Sequence, residues 1–297
     1  MSANAIIEFS SPPAVLPLYA RVLLSRKPAH VADGESVPHI GAVLSPLPLD
    51  RAQLTTYAQI CSIRDTGTLP IAFPHVLATP LHFAMLTGNA FAVKLLGLVH
   101  LRNRIRQTRP IRVDESLSMH AWLEGHREGD FGQEFDMETQ LRSGDDVLWH
   151  ETCTFLARRR QRRKPGGKAA RAAVIEPVAT GPLRASQFAA PAGLGRRYGV
   201  VSRDINPIHL FDATARLFGF RQAIAHGMWS LARCAAEFPV ERWTTPVEYE
   251  VIFKQPVFIP AALVMERWET DQGESFALKD GSGDKTHLTG TLRKLPQ

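Results

Sequence analysis

Six consecutive positions hold a carboxylate, an amide, a helix-starting proline and an imidazole, namely Asp204, Asn206, Pro207 and His209. Pro207 suits the first position of a helix because it has no N–H and its φ is fixed near the helical value. Asn206 is a preferred N-cap residue. Asp204 then lies in the loop before the helix and His209 in its first turn. One water molecule could therefore contact an acid and a base together, which is the requirement for proton transfer.

The helix that begins at Pro207 is predicted to run to Phe218. Gly219 follows it and is typical of the left-handed position after a helix. Phe211, Ala215 and Phe218 give this helix a predicted buried stripe. A lone histidine or aspartate at such a place is often structural, so the chemical prediction depends on the combination and its spacing.

Gly227 opens a second, apolar helix, in which Met228, Leu231 and Ala235 recur at helical period. The first N–H groups of a helix have no helical partner, and glycine lets other groups approach closely. This terminus could hold a developing oxyanion. The alternative is that Gly227 only permits tight packing. His226, just before it, is expected to support the site rather than to react.

The two halves of the chain share an order of patterns. An apolar helix, a strand and a proline-containing turn recur about 146–147 residues apart, which indicates a duplicated domain. With that offset Gly227 corresponds to Pro80, which has no N–H, and no segment of the first half matches the Asp204–His209 motif. The first half is therefore predicted to keep the fold, to have lost the chemistry, and to shape the pocket.

Runs of strands with few helices predict an α+β fold with antiparallel sheets. We expect a degenerate N-terminal half at 1–157, a basic linker at 158–180 and a C-terminal half at 181–297 that carries the motif. The predicted strands are His100–Ile105, Ser116–Glu124, Gln133–Arg142, Asp146–Arg158, Val247–Phe253, Ala262–Thr270, Glu274–Asp280 and Lys285–Lys294.

Charge and composition exclude several classes of protein. The chain is 44% hydrophobic and 22% charged, within the globular range. No apolar run approaches the roughly 20 residues that span a bilayer, and the N-terminus lacks the order of a secretory signal. The net charge of +6 comes from residues 157–175, which hold eight Lys and Arg and no acidic residue. The rest of the chain has 27 basic and 29 acidic residues. Cys61, Cys153 and Cys234 are expected to be buried reduced thiols of a cytoplasmic protein.

The segment Tyr198–Ser230 closely resembles the signature of the MaoC-like hydratases, the (R)-specific enoyl-CoA hydratases. The resemblance implies a double hot-dog fold, with two antiparallel sheets that each wrap around a long helix. It also implies reversible addition of water to a trans-2-enoyl thioester, without a metal or redox cofactor. By position, Asp204 and His209 match the family's catalytic pair, Asn206 its supporting residue and Gly227 its oxyanion glycine.

The substrate implied by the resemblance is a thioester of coenzyme A or of acyl carrier protein. Tyr198, Ser202, Arg203 and His226 flank the motif and are the candidate substrate-binding residues. The family usually has glycine where this chain has Arg203, which predicts that position 203 has no access to positive φ. The Arg203 side chain could point to solvent, contact a phosphate of coenzyme A or lower the pKa of Asp204.

Other functions stay open on the sequence alone. Hot-dog folds also hydrolyse acyl thioesters, so a thioesterase is an alternative, as is a non-catalytic acyl-thioester binding module that uses Arg203. Nucleic-acid binding through 158–171 is disfavoured, because no aromatic residues interleave with the basic ones. The glycine-rich stretch 193–199 lacks the preceding strand and the spacing of a dinucleotide fingerprint. A homodimer is left open.

Overall fold

The computed structural model describes residues 5–159 and 179–296, so nearly all of the predicted linker 158–180 lies outside the described residues. The strands are β1 (Ala5–Phe9), β2 (Ile40–Leu44), β3 (Leu98–Gln107), β4 (Ser118–Leu123), β5 (Arg127–Gly129), β6 (Gly132–Ser143), β7 (Asp146–Arg158), β8 (Arg184–Ala190), β9 (Val247–Phe253), β10 (Ala261–Thr270), β11 (Gly273–Asp280) and β12 (Thr286–Lys294). The helices are α1 (Val15–Leu24), α2 (Arg51–Cys61), α3 (Phe73–Thr87), α4 (Leu194–Ser202), α5 (Pro207–Leu210), α6 (Asp212–Leu217) and α7 (Gly227–Ala235), with a 3₁₀ turn at Val240–Trp243.

The described strands form one sheet in the order β1-β2-β4-β6-β7-β3-β9-β12-β11-β10-β8, with β5 beside β6. Every neighbouring pair is antiparallel except β1 and β2. Strands β3 and β9 join the two halves, with Ile105 opposite Tyr249. Outward from this junction, β7-β6-β4-β2 on one side corresponds to β12-β11-β10-β8 on the other. The α+β prediction is confirmed, and the two expected sheets are joined edge to edge.

All eight predicted strands are present, and each end lies within two residues of its prediction. Their alternation of apolar and polar residues produces alternate burial, as along β4. Four described strands were missed, namely β1, β2, β5 and β8, three of which have five residues or fewer.

Two apolar helices pack into the interior of the sheet. α3 is buried on nearly all sides, and α7 buries Met228, Leu231 and Ala235 as predicted. The Tyr249 hydroxyl donates to the Leu231 carbonyl at 3.1 Å, which ties β9 to α7. The buried residues of both halves belong to one hydrophobic core.

The predicted single helix from Pro207 to Phe218 is wrong. The chain becomes extended at Phe211 (φ −146°, ψ 149°), which separates α5 from α6. Ala215 is buried, but Phe211 and Phe218 are 51% and 40% exposed, so the predicted stripe is also wrong. The Phe211 ring instead lies outside, under the Arg196 guanidinium at 5.0 Å. Gly219 has φ 85° after α6, as predicted.

The three cysteines are buried and unpaired, as predicted. Burial raises the pKa of the Cys61 thiol to about 12, so it stays protonated. Among the described residues, no helix has the length and apolar character needed to cross a membrane.

Candidate active site

The glycines of α4 set the position of the motif. A Cβ at Gly195 would lie 1.8 Å from the His209 carbonyl oxygen, and one at Gly199 would lie 2.9 Å from the Asp204 carbonyl oxygen. α4 therefore packs directly against the backbone of the motif, which a side chain at either glycine would prevent. The glycine-rich stretch 193–199 that did not fit a nucleotide site has this positioning role.

Arg203 turns the chain from the end of α4 into Asp204. Its φ is 60° and its ψ is 15°, a left-handed conformation, so the prediction that an arginine would not take positive φ is wrong. This conformation costs a non-glycine residue about 1–2 kcal/mol. The turn is followed by a hydrogen bond from the Asp204 N–H to Ser202 Oγ at 3.3 Å.

Asn206 and Pro207 start α5 as predicted. Asn206 Oδ1 accepts the Ile208 N–H at 3.4 Å, and Pro207 occupies the first helical position. The backbone N–H of Asn206 also donates to Asp204 Oδ1 at 3.2 Å. Asn206 thus closes the helix and orients the acid at the same time.

Two donors hold one oxygen of the Asp204 carboxylate. Oδ1 accepts from the Asn206 N–H and from the Tyr19 hydroxyl, the latter at 2.8 Å. Burial alone raises the pKa of Asp204, but the imidazoles of His226 and His209 and these hydrogen bonds outweigh it, so the pKa lies below its ordinary value. Asp204 is therefore ionised at neutral pH, with Oδ2 available to another partner.

His209 is held as a neutral base. Its Nδ1 lies 2.8 Å from the Ile224 carbonyl oxygen. Because a carbonyl only accepts, Nδ1 carries the hydrogen and Nε2 carries the lone pair. Burial lowers the pKa of His209 to about 3, and the neighbouring His226 acts in the same direction.

His226 lies between the acid and the base. Its Nε2 is 2.9 Å from the Asp204 carbonyl oxygen, and its ring stacks on His209 with centroids 3.7 Å apart. Tyr198 also packs against His226, at 4.9 Å between centroids. Tyr198 is almost fully buried. The structure thus places His226 in a supporting position and Tyr198 in the core behind it; a substrate contact for either stays a prediction.

Asp204, His209 and His226 are the one group of described residues whose side chains could hold a metal ion, with ligand atoms within 4.8 Å of one another. His226 Nε2, however, donates its hydrogen to a carbonyl. The lone pairs that remain on the acid–base pair are those of Asp204 Oδ2 and His209 Nε2. Because one ligand atom of each residue lies within 4.8 Å of the others, the carboxylate and the imidazole are close enough to share hydrogen bonds with a single water molecule.

Gly227 is the first residue of α7, after His226 as N-cap. A Cβ at Gly227 would lie 3.1 Å from Cε1 of Phe253, so the Phe253 ring covers the glycine closely. This position is compatible with both roles expected for Gly227, close packing and an N–H donor at the start of the helix.

Tyr19 is a residue of the candidate site that no motif in the sequence predicted. It lies in α1, 185 positions before Asp204 in the chain, and its segment has no recognisable motif. Burial and the charge of Asp204 raise its pKa, so the hydroxyl stays a neutral donor. No local signal in the sequence points to this contact.

Comparison with known proteins identifies the family. Residues 192–291 match the model of the MaoC like domain. The chain is 33% identical over 261 residues to 3-hydroxyacyl-thioester dehydratase X of Mycobacterium tuberculosis, a match that covers 88% of this chain and 91% of the relative. The chain belongs to the MaoC-like dehydratase family.

Solved structures agree with this membership. The crystal structure of HtdX of Mycobacterium tuberculosis superposes with a TM-score of 0.72 at 31% identity, over 86% of this chain and all of that one. A Mycobacterium tuberculosis protein described as having a double hot-dog fold has a TM-score of 0.53 at 14% identity, over 89% of this chain and 96% of that one. The double hot-dog prediction for this MaoC-like dehydratase is confirmed.

Proposed function

We propose that this protein is a hydro-lyase that interconverts a trans-2-enoyl thioester and the (R)-3-hydroxyacyl thioester. The observation that carries the proposal is the pairing of an ionised Asp204 with a neutral His209 around one water position. The named relative is a 3-hydroxyacyl-thioester dehydratase. The (R) configuration follows from the resemblance of Tyr198–Ser230 to the (R)-specific hydratases.

In the hydration direction, Asp204 Oδ2 and His209 Nε2 hold the water whose oxygen attacks C3. As the C3–O bond forms, the pair takes a proton from the water and passes that proton to C2, so hydroxyl and hydrogen are added and both groups return to their starting states. Dehydration is the reverse, with a proton removed from C2 and water leaving C3. Because neither group has to change its protonation state before substrate binds, the site is ready for the reaction at neutral pH.

Gly227 supplies the third element of the proposal. Negative charge develops on the thioester oxygen when water adds to C3. The N–H groups at the start of α7 have no helical partner and lie at the positive end of the helix dipole. The Gly227 N–H is assigned to this oxygen, and such a donor contributes about 3 kcal/mol to transition-state stabilisation.

The substrate is proposed to be an acyl thioester of coenzyme A or acyl carrier protein. Arg203, Ser202, Tyr198 and His226 remain candidates for contacts to it. The Arg203 side chain is only partly buried and has no hydrogen bond or ion pair among the described residues, so its guanidinium is available to a phosphate of coenzyme A.

Crotonyl-CoA distinguishes hydration from thioester hydrolysis in one assay. A hydratase lowers the enoyl absorbance without releasing thiol, and we expect this result. Release of free coenzyme A at the rate of substrate loss would identify a thioesterase instead. Saturable binding of acyl-CoA esters of every chain length without turnover would identify a binding module.

A further inference from the structure

A second group of ionisable side chains is buried in the first half, between α3 and the strands β3, β6 and β7. His75 Nδ1 lies 2.8 Å from Glu151 Oε2, and Asn103 Nδ2 donates to Glu151 Oε1 at 2.6 Å. His82 Nε2 lies 2.8 Å from Thr139 Oγ1. The proposed hydration uses none of these residues.

This polar group is unexpected where it lies. The Glu151 side chain has no exposed surface. A buried ion pair is seldom a net source of stability, since well-packed apolar side chains of the same volume do as well or better. The neighbours of Glu151 on the same face of β7, Trp149 and Cys153, are buried core residues. A carboxylate in such surroundings indicates a use other than packing.

An aromatic path leads from this group to Gly227. The Phe253 ring covers Gly227 and lies 4.7 Å from the His100 ring, which stacks over His75 at 6.3 Å. Phe253, His100 and His75 are each only partly buried, so all three rings keep some accessible surface, and this accessible row of rings is named the crevice. Burial lowers the pKa of His100 to about 3, and the Asp204 carboxylate opposes that shift, so the acid is within electrostatic reach of the crevice.

His75 presents a donor to this crevice. Because a carboxylate only accepts, Nδ1 carries the hydrogen shared with Glu151. Burial opposes a charge on His75, but the Glu151 carboxylate outweighs it and raises the pKa of the imidazole, which favours a hydrogen on Nε2 as well. Nε2 has no hydrogen-bond partner among the described residues, and 14% of the side chain is exposed.

We propose that His75, held by Glu151, is a polar subsite for the acyl chain and takes an oxygen acceptor, such as a keto oxygen, beyond the reacting carbons. This rests on the proposed function, which it deepens by naming a substrate class. The two ring-to-ring steps from Phe253 to His75 measure 4.7 and 6.3 Å. An extended chain advances about 1.2 Å per bond, so the oxygen is expected within roughly nine bonds of Phe253.

The subsite is tested with pairs of trans-2-enoyl-CoA esters. The two esters of a pair have the same chain length, and one ends in a methyl ketone and the other in an alkyl group. The chain length increases from pair to pair. At one chain length the wild type is expected to have a kcat/KM about 10-fold higher for the keto ester than for the alkyl ester, because one hydrogen bond from a charged donor contributes about that factor. The dissociation constants of the corresponding saturated esters are expected to show the same preference without turnover. Equal values for both esters at every length would overturn the subsite.

Glu151→Gln removes the charge that holds the donor on His75. The amide oxygen of the new side chain still accepts from the His75 Nδ1–H, but Nε2 of the neutral ring then presents a lone pair, so the keto preference is expected to fall to about one. His75→Phe, which keeps a ring without a donor, is expected to give the same result. Glu138→Gln is the matched control, since Glu138 accepts from His150 at 2.8 Å outside the crevice, and it should retain the preference.

The outcomes separate the two proposals. A keto preference that survives both Glu151→Gln and His75→Phe would assign it to other residues and overturn the subsite. If crotonyl-CoA is hydrated but no keto preference exists, only the subsite fails. If crotonyl-CoA is not hydrated, the proposed function fails, and the dissociation constants of the saturated esters still decide the subsite.

Discussion

At the scale of single residues, hydrogen bonds set the protonation states that the proposed chemistry requires. Oδ1 of Asp204 accepts from Tyr19 and from the Asn206 N–H, which leaves Oδ2 without a hydrogen bond among the described residues and 3.9 Å from His226 Nε2. The Ile224 carbonyl accepts from Nδ1 of His209, which leaves Nε2 with its lone pair. The same atoms that fix the geometry therefore also fix which groups accept a proton.

The pH dependence of the reaction follows from these states. His209 acts in its neutral form, and burial places its folded pKa at about 3, below the ordinary value of 6.5. Activity is lost when acid protonates the base, so a lowered pKa displaces that loss to lower pH. We expect kcat/KM for crotonyl-CoA to be constant between about pH 8 and about pH 5. An inflection near the ordinary histidine pKa would show that His209 titrates normally.

Tyr19→Phe removes one of the two donors to Asp204 Oδ1. The hydrogen bond involves a charged acceptor, so kcat is expected to fall about 10-fold, and the loss of activity in acid is expected to begin at higher pH. Tyr57→Phe is the control, because the Tyr57 hydroxyl is also buried but interacts with the Cys61 thiol and not with Asp204. Equal pH profiles and rates for the two variants would remove Tyr19 from the site.

At the scale of elements, glycines decide where helices can meet. Gly195 and Gly199 let α4 lie against the carbonyls of His209 and Asp204. Arg203 takes the left-handed conformation that glycine adopts without strain. The backbone just before Asp204 is therefore less favourable in conformational free energy than it would be with glycine. The start of α7 at Gly227 then faces Phe253.

Two substitutions at Gly227 isolate the role of its N–H. Gly227→Ala adds a Cβ against Phe253 and keeps the backbone N–H. Gly227→Pro adds the same Cβ but removes the N–H. Proline is suited to the first position of a helix, and the extended conformation of His226 is compatible with it. We expect kcat of the proline variant to lie about 100- to 1,000-fold below that of the alanine variant. Similar values would leave Gly227 with a packing role alone.

At the scale of the whole molecule, both halves build the site. Asp204, His209 and Gly227 belong to the second half, while Tyr19 reaches Asp204 from the first. The Trp229 indole N–H donates to the Ile60 carbonyl at 3.2 Å, which ties α7 to α2. Pro80, the position matched to Gly227 in the first half, lies in the middle of α3 and not at its start, so the two helices begin at different places in the repeat. The loss of chemistry in the first half stays a prediction.

The features that the sequence predicted correctly are those determined by residues close together in the chain. Asn206 and Pro207 predicted the start of α5, and segments of 5–13 residues bounded by Gly, Asp and Ser turns predicted the eight strands, because each signal depends on neighbours in the chain. Contacts between distant segments carry no such signal, so Tyr19 was missed. The break at Phe211 was missed because Ala215 continues the apolar period across it, and no residue in the segment marks the extended backbone at Phe211.

The decisive measurement is the rate of crotonyl-CoA hydration by Asp204→Asn and His209→Ala beside the wild type. Each variant is expected to lose at least about 1,000-fold in kcat, because either change removes one of the two groups that hold the attacking water. Both should keep the circular dichroism spectrum of the wild type. Near-normal hydration by either variant, with the fold intact, would contradict the assignment of this pair as the catalytic acid and base.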